Sequence, residues 1–323
     1  MSTRIRAAFV GLLVVVLALT TLAVAAVSLG EDRLYPVTLT LFVGSAAIQR
    51  AGSTDAQVAH SGEGVGNGDT VITGDSSKAA LRYPDGSITR LDSSTKVTVG
   101  ISRALDGRAQ VGLQQPAGLT WNRVQRLLGQ ASFQVSGPNN ASAQVRGTGF
   151  GYYVEYDAAG NPVIWIDVYD GVVAVAGASG SPVNATAGQR VTVRAASAPT
   201  VPVPIPEGDK HLGFTVFNRA IEAVAGEPFA FATGVMSTGQ PAQTFSVEAD
   251  GKRDLQFVLA APPGSTFGLT VTSPNGTVVF DSTSSTAPLV AFAPRAAAGT
   301  WHYTVRDLTS LPADPFWTIV GRS

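Results

Sequence analysis

The 323-residue chain contains no cysteine, which excludes disulfide frames, thiolate metal sites and thiol nucleophiles together. Charge is scarce as well. Asp, Glu, Lys and Arg make up 14% of the residues, where about 25% is usual, so long helices would lack their ordinary charged faces and an all-β chain is expected. The formal net charge of −1 comes without clustering of Lys and Arg. A nucleic-acid partner needs such a footprint to release counterions, and none is expected. Histidine occurs only as His60, His211 and His302, never at metal-ligand spacing, so exposed or incidental roles are expected for all three. Neither Gly-x-Ser-x-Gly nor His-Glu-x-x-His is present, and no local signature gathers Ser, His and Asp into a triad. Asp69, Asp75, Asp85 and Asp92 stand beside Gly or Ser, where an aspartate is a turn former before it is a calcium ligand. Gly62, Gly64, Gly66 and Gly68 alternate without the Lys-Ser or Lys-Thr pair of a phosphate loop. The expectation is a non-enzymatic protein with no catalytic residue, cofactor or metal.

Long apolar runs are confined to one place. Ala7 to Leu29 is an uncharged stretch of 23 residues, long enough at about 1.5 Å per residue to cross a hydrocarbon core of roughly 30 Å. Arg4 and Arg6 precede it and Glu31 and Asp32 follow, so the positive-inside rule places the short N-terminus in the cytoplasm and the remainder outside. Residues 1–30 are therefore expected to be a cytoplasmic stub and a single-pass anchor in the cell membrane. Ala23-Val24-Ala25 offers the alternative of a cleaved signal and a secreted protein.

What the chain has in quantity is glycine, at 35, and proline, at 19, the composition of many turns. Period-two alternation at Val37–Phe42, Ala79–Tyr83, Lys96–Val99 and Tyr152–Tyr156 predicts strands. Turn signals at Asp85-Gly86, Asp106-Gly107, Gly160-Asn161 and Asp170-Gly171 predict short strands in sequential antiparallel pairs, as a β-sandwich or a β-solenoid over about 36–196. One interruption reads differently: Trp121, Val124, Leu127 and Leu128 have helical spacing and predict one or two turns plugging the end of the core.

The segments Gly68-Asp69-Thr70-Val71-Ile72-Thr73-Gly74, Tyr83-Pro84-Asp85-Gly86-Ser87, Val145-Arg146-Gly147-Thr148, Asp170-Gly171-Val172-Val173 and Ala187-Gly188-Gln189 follow one another along the chain. In that order they resemble the FecR family. The resemblance implies an extracytoplasmic β domain in cell-envelope signalling or scaffolding, working through partner binding. Family members that restrain sigma factors carry a cytoplasmic domain before the helix, whereas here Met1 to Arg6 is too short to fold, so direct sigma-factor regulation is not expected. Arg146, Gly147, Thr148, Asp85 and Gly86 are the motif residues to follow. Arg146, whose planar five-donor group could satisfy loop carbonyls or a carboxylate such as Asp167 or Asp170, is expected to be a buried structural clamp.

Pro199, Pro202, Pro204 and Pro206 mark residues 197–211 as a stiff linker, and residues 212–323 as a second domain that folds independently. Phe217 to Ala225 is a candidate short helix. Alternation at Asp254–Leu259, Phe267–Thr272 and Gly299–Val305, with Ser273-Pro274-Asn275-Gly276 as a turn, predicts a second, jelly-roll-like β-sandwich. It resembles a pre-peptidase C-terminal domain. Trp301, Tyr303 and Trp317 are its candidate ligand contacts, since aromatic faces stack on sugar rings, although Trp301 and Tyr303 share a strand face with Val305 in the manner of a core. The partner is thus an unknown envelope protein, or alternatively a surface glycan or polymer.

Overall fold

The computed structural model describes residues 33–105, 108–126, 131–236, 242–286, 288–308 and 314–323. The apolar run 7–29 lies outside them, as do Leu127 and Leu128. No helix among the described residues is long and apolar enough to cross a membrane. The chain divides into two compact units. Among the described residues, 33–41, Ser45–Asp75 and Ala79–Val203 form the first; Pro204–Ser323, with Phe42–Gly44 and Ser76–Lys78, forms the second. The division falls inside the proline-rich stretch. The start of that stretch is no free spacer, because Thr200 N donates to Thr192 O and Thr192 N to Thr200 Oγ1, both at 3.0 Å.

In the first unit the chain shuttles between two sheets. One contains, in spatial order, Ala56–Ala59, Ala46–Gln49, Thr70–Thr73, Lys96–Leu105, the first half of Arg108–Arg123, Ser132–Ser136, Ser142–Val145, Val172–Ala176 and Val183–Thr186. The other contains Gly64–Val65, Val37–Val43, Lys78–Arg82, Ile88–Leu91, the second half of Arg108–Arg123, Gly149–Tyr156, Pro162–Asp170 and Gln189–Arg194. Ile48, Val71, Val97, Leu113, Phe133 and Val175 from the first sheet meet Leu39, Leu81, Tyr152, Ile166 and Val191 from the second in one core. Because Arg108–Arg123 lends half its length to each sheet, the ladder runs unbroken from one to the other, yet the faces pack as a sandwich and not as a closed barrel.

Two expectations change here. Pairing is not simply sequential: Ala46–Gln49 bonds Thr70–Thr73, Thr70–Thr73 bonds Lys96–Leu105, and Ser142–Val145 bonds Val172–Ala176. The ladder Gln110–Gln114 with Ser132–Ser136 is parallel. The helical spacing at Trp121 is also overridden, since residues 121–123 continue the strand and are bonded on one side to Ile88–Arg90 and on the other to Gly149–Gly151. With both edges of the backbone taken by neighbours, no helical turn can form there.

The second unit pairs Glu227–Val235, Pro315–Arg322, Leu255–Ala260 and Leu289–Ala293 in one four-stranded sheet, and Ala242–Ala249, Gly299–Asp307, Phe267–Thr272 and Val278–Ser284 in another. Phe257, Phe267, Leu269, Phe316, Trp301 and Val305 fill the space between them. The expected turn is present, with Gly276 at φ +84° and Asn275 Oδ1 accepting from Thr277 N at 3.1 Å. A helix, Leu212–Ala223, buries Phe214, Phe217, Ala220 and Ile221 at three- and four-residue spacing, and Phe217 meets Trp317 edge-on at 5.0 Å. It starts five residues before the expected Phe217. His211 stands just ahead of it and is buried, with Nδ1 2.8 Å from Asp209 Oδ1.

Candidate functional site

Asp85 and Gly86 build a tight loop. Tyr83 N donates to Ser87 O at 3.1 Å and Gly86, at φ +85°, donates back to Tyr83 O at 3.1 Å. The Asp85 carboxylate accepts from Ser87 N at 2.8 Å and Ser87 Oγ at 2.9 Å, and Asp85 N donates to the Tyr35 hydroxyl at 3.0 Å. Burial, reinforced by the Asp85 charge, pushes the Tyr35 phenol above its ordinary range. The motif is a self-contained Asx turn that docks on its neighbours.

Arg146 is not the buried clamp expected of it. Ala143 and Val145 point into the core, while Gln144 and Arg146 are exposed, as strict alternation requires. The clamp role falls instead to Arg190, whose Nε and Nη2 each lie 2.6 Å from Oδ1 and Oδ2 of Asp167, with side chains 8% and 1% exposed. This is a bidentate, desolvated pair. Asp167 Oδ2 also accepts from Tyr169 OH at 3.4 Å, Tyr169 OH lies 3.1 Å from Tyr153 OH, and the Tyr169 ring stacks on Trp121 at 4.2 Å. The other proposed partner, Asp170, pairs at the surface with Arg123 at 3.4 Å.

Gly147 and Thr148 earn their place sterically. Gly147 has φ +116°, and a Cβ there would lie 2.8 Å from Arg126 Cα. Thr148 is buried and exchanges backbone hydrogen bonds with Val124 at 3.1 and 2.8 Å, and its methyl group lies where a Cβ on Gly171 would come within 2.8 Å. The Arg-Gly-Thr and Asp-Gly motifs thus meet at one backbone crossing. The Gly68-Asp69 motif is likewise a pin: the Asp69 carboxylate accepts from Ala51 N at 2.9 Å, Gly66 N at 2.9 Å and Arg50 Nη1 at 2.8 Å, and Arg50 also bonds Glu63. Among the described residues no group of His, Asp and Glu is placed to hold a metal ion.

The second unit's candidate contacts are corrected as well. Trp301 and Tyr303 are each 3% exposed and lie in the core against Phe257, at 6.0 and 5.6 Å, while Trp317 is half-buried against Phe217. The Trp301 and Tyr303 rings, with no open face, cannot stack on a sugar.

The structure does bring together a surface that motif reading did not single out. Thr98, Gln114, Ser136 and Ser142 are in direct cross-strand register over four neighbouring strands of the first sheet. They floor an open groove of ≈ 550 Å³, walled by Gln115, Pro116, Gln134, Gly137, Pro138 and Asn140. None of the ten carries a charge. The only sign of it in the sequence is a run of outward strand positions occupied by Gln, Ser and Thr where Lys and Glu would be ordinary.

These features define an all-β, two-sheet domain whose motif loops serve its framework. Residues 69–174 match the family described as FecR protein, as the motif order indicated. Two crystal structures, at 2.50 and 1.65 Å, of a protein from Parabacteroides distasonis ATCC 8503 provisionally designated an anti-sigma factor align at 16% identity over 46% of this chain, with TM-score 0.35. The chain spans 64% of their length. The D431N mutant VP2 protein of infectious bursal disease virus aligns at 10% identity, over 90% of this chain and 70% of that one, with TM-score 0.17. No curated protein matches.

Proposed function

We propose that the chain is a non-enzymatic FecR-domain protein of the cell envelope, tethered in the membrane by residues 7–29, that serves signalling or scaffolding by holding a partner outside the cytoplasm on its first unit. The observation that carries this reading is the FecR match, which runs from the strand Thr70–Thr73 to the strand Val172–Ala176 and so covers most of the two-sheet sandwich. The second unit, a sandwich of the pre-peptidase C-terminal kind, is a separately folding appendage beyond the proline run, and limited proteolysis is expected to cut between Ser197 and Lys210.

Photo-cross-linkers installed at exposed positions of each unit, such as Gln144 in the first and His302 in the second, test the assignment in the native membrane. Capture of an envelope component through the first unit is expected. Capture through the second unit alone overturns the reading. Mass spectrometry of the natively expressed protein tests the tether: a mature N-terminus near Ala26, with release in the absence of detergent, would show a cleaved signal.

A further inference from the structure

We infer that the groove over Thr98, Gln114, Gln134 and Ser142 is a binding site for an uncharged carbohydrate polymer. The inference deepens the partner-holding reading by naming a surface and a ligand class.

The groove exists because two strands part. Arg108–Arg123 leaves the first sheet between Gln114 and Ala117, where its pairing with Lys96–Leu105 shifts register, and Pro116, which has no N–H for a ladder, stands in that bulge. Its parallel neighbour ends at Ser136 and turns away at Gly137. Beyond the pair Gln114 and Ser136 the sheet therefore opens. Its volume lies in the range of small-ligand sites, about 300–1,000 Å³.

The walls are fixed before any ligand arrives. Gln115, fully buried, donates from Nε2 to Gly118 O at 2.7 Å and to Tyr152 O at 2.9 Å, and its Oε1 accepts from Thr120 Oγ1 at 2.7 Å. The opposite wall is tied by Gly137 N to Ala141 O at 2.8 Å, Tyr152 OH to Ala141 O at 3.0 Å and Asn139 Nδ2 to Pro162 O at 3.2 Å. A Cβ on Gly137 would come within 2.5 Å of the Tyr152 hydroxyl, so that wall closes only with glycine. Rigid walls spare the ligand the entropy of ordering them.

The chemistry of the lining selects the ligand. Amide side chains offer a donor and an acceptor side by side, and hydroxyls act as either, which matches the alternating donors and acceptors of sugar hydroxyls. A charged ligand would find no counter-charge. Among the described residues the Gln114, Asn140 and Ser142 side chains make no hydrogen bond within the chain, so their polar groups face solvent unspent. Bonded to the wall residue Pro116 is Tyr156, 53% exposed, whose hydroxyl donates to Pro116 O at 2.9 Å. An exposed ring pinned beside uncharged polar groups supplies the apolar face on which the C–H side of a sugar packs.

The test uses the purified full chain in detergent against immobilised neutral glycans (dextran, amylose and laminarin), with polygalacturonate as the anionic comparison. Retention on at least one neutral glycan is expected, unchanged between low and high salt because no ion pair is involved. The double variant Gln114→Ala/Gln134→Ala, and separately Tyr156→Ala, are each expected to weaken it about tenfold, the loss of two hydrogen bonds or one stacking contact. All three positions are at least partly exposed, so each variant should stay folded with only a small shift of its unfolding midpoint from the lost Tyr156–Pro116 and Gln134–Ser136 hydrogen bonds, and Val172→Ser, on an exposed site away from the groove, should bind as wild type. Failure to retain any neutral glycan, equal retention of polygalacturonate, unaltered binding by both groove variants, or selective capture of an extended peptide in place of glycan would each overturn the inference. A protein partner cross-linked elsewhere on the first unit would leave the envelope reading standing without it.

Discussion

Arg190→Met takes the guanidinium away from a carboxylate with almost no access to water, and the consequence can be worked from the geometry. Asp167 is 1% exposed and held through two contacts of 2.6 Å. At the effective dielectric of about 20 that describes such sites, a pair of charges about 4 Å apart attracts by about 4 kcal/mol. Breaking a buried pair by removing one partner costs about 3–5 kcal/mol, because the other charge is left without compensation. With a urea slope of about 2–3 kcal/mol per molar, the midpoint should fall by roughly 1–2 M. Trp121, stacked on Tyr169 beside this pair, makes intrinsic fluorescence a suitable signal. Asp167→Leu combined with Arg190→Met should recover most of the loss, since well-packed apolar groups of similar volume often replace a buried pair at little cost. Arg146→Ala, on an exposed side chain, should change stability by less than about 1 kcal/mol. Equal midpoint shifts for Arg190→Met and Arg146→Ala, or a larger one for Arg146→Ala, would refute the assignment of the clamp to Arg190.

Gly147→Ala places a methyl group 2.8 Å from Arg126 Cα at a φ of +116°, so a loss of about 1–3 kcal/mol is expected in thermal melts. Trp301→Ala, deep in the second core, should cost about 3–5 kcal/mol; unchanged stability with a lost ligand would return that residue to the surface role first considered for it. At Asp69 burial works against the charged form, but hydrogen bonds from Gly66 N, Arg50 and Ala51 N outweigh it and hold the carboxyl below its ordinary range. An unfolded aspartate takes up its proton near pH 3.9, so this contribution is complete above about that pH and disappears as the pH falls through the lower folded value. Asp69→Asn should therefore lower stability at neutral pH and flatten its fall below about pH 4, which acid titrations followed by circular dichroism would show.

Much of this molecule is legible from residue order alone. Scarce charge and abundant glycine imply β structure, period-two alternation marks which strand residues face inward, and Ser273-Pro274-Asn275-Gly276 or Tyr83-Pro84-Asp85-Gly86-Ser87 name their own turns, because each is a local preference of backbone and side chain. Arg146 is the exception among the motif residues: alternation with Ala143 and Val145, which face the core, turns it outward against the buried clamp expected of it. Tertiary structure decided what local rules cannot reach. Asp167 and Arg190 are 23 residues apart and face one another only through the register of Pro162–Asp170 with Gln189–Arg194. Trp121 has helical spacing but lies in a strand, because hydrogen bonds from strands on both sides outweigh a weak local preference. Gln114, Gln134 and Ser142 become one groove only when three strands are set side by side. Strand pairing carries no code of its own in the sequence: any two strands offer the same N–H and C=O groups, and the choice between them is made by how well all the inward faces fill one core together.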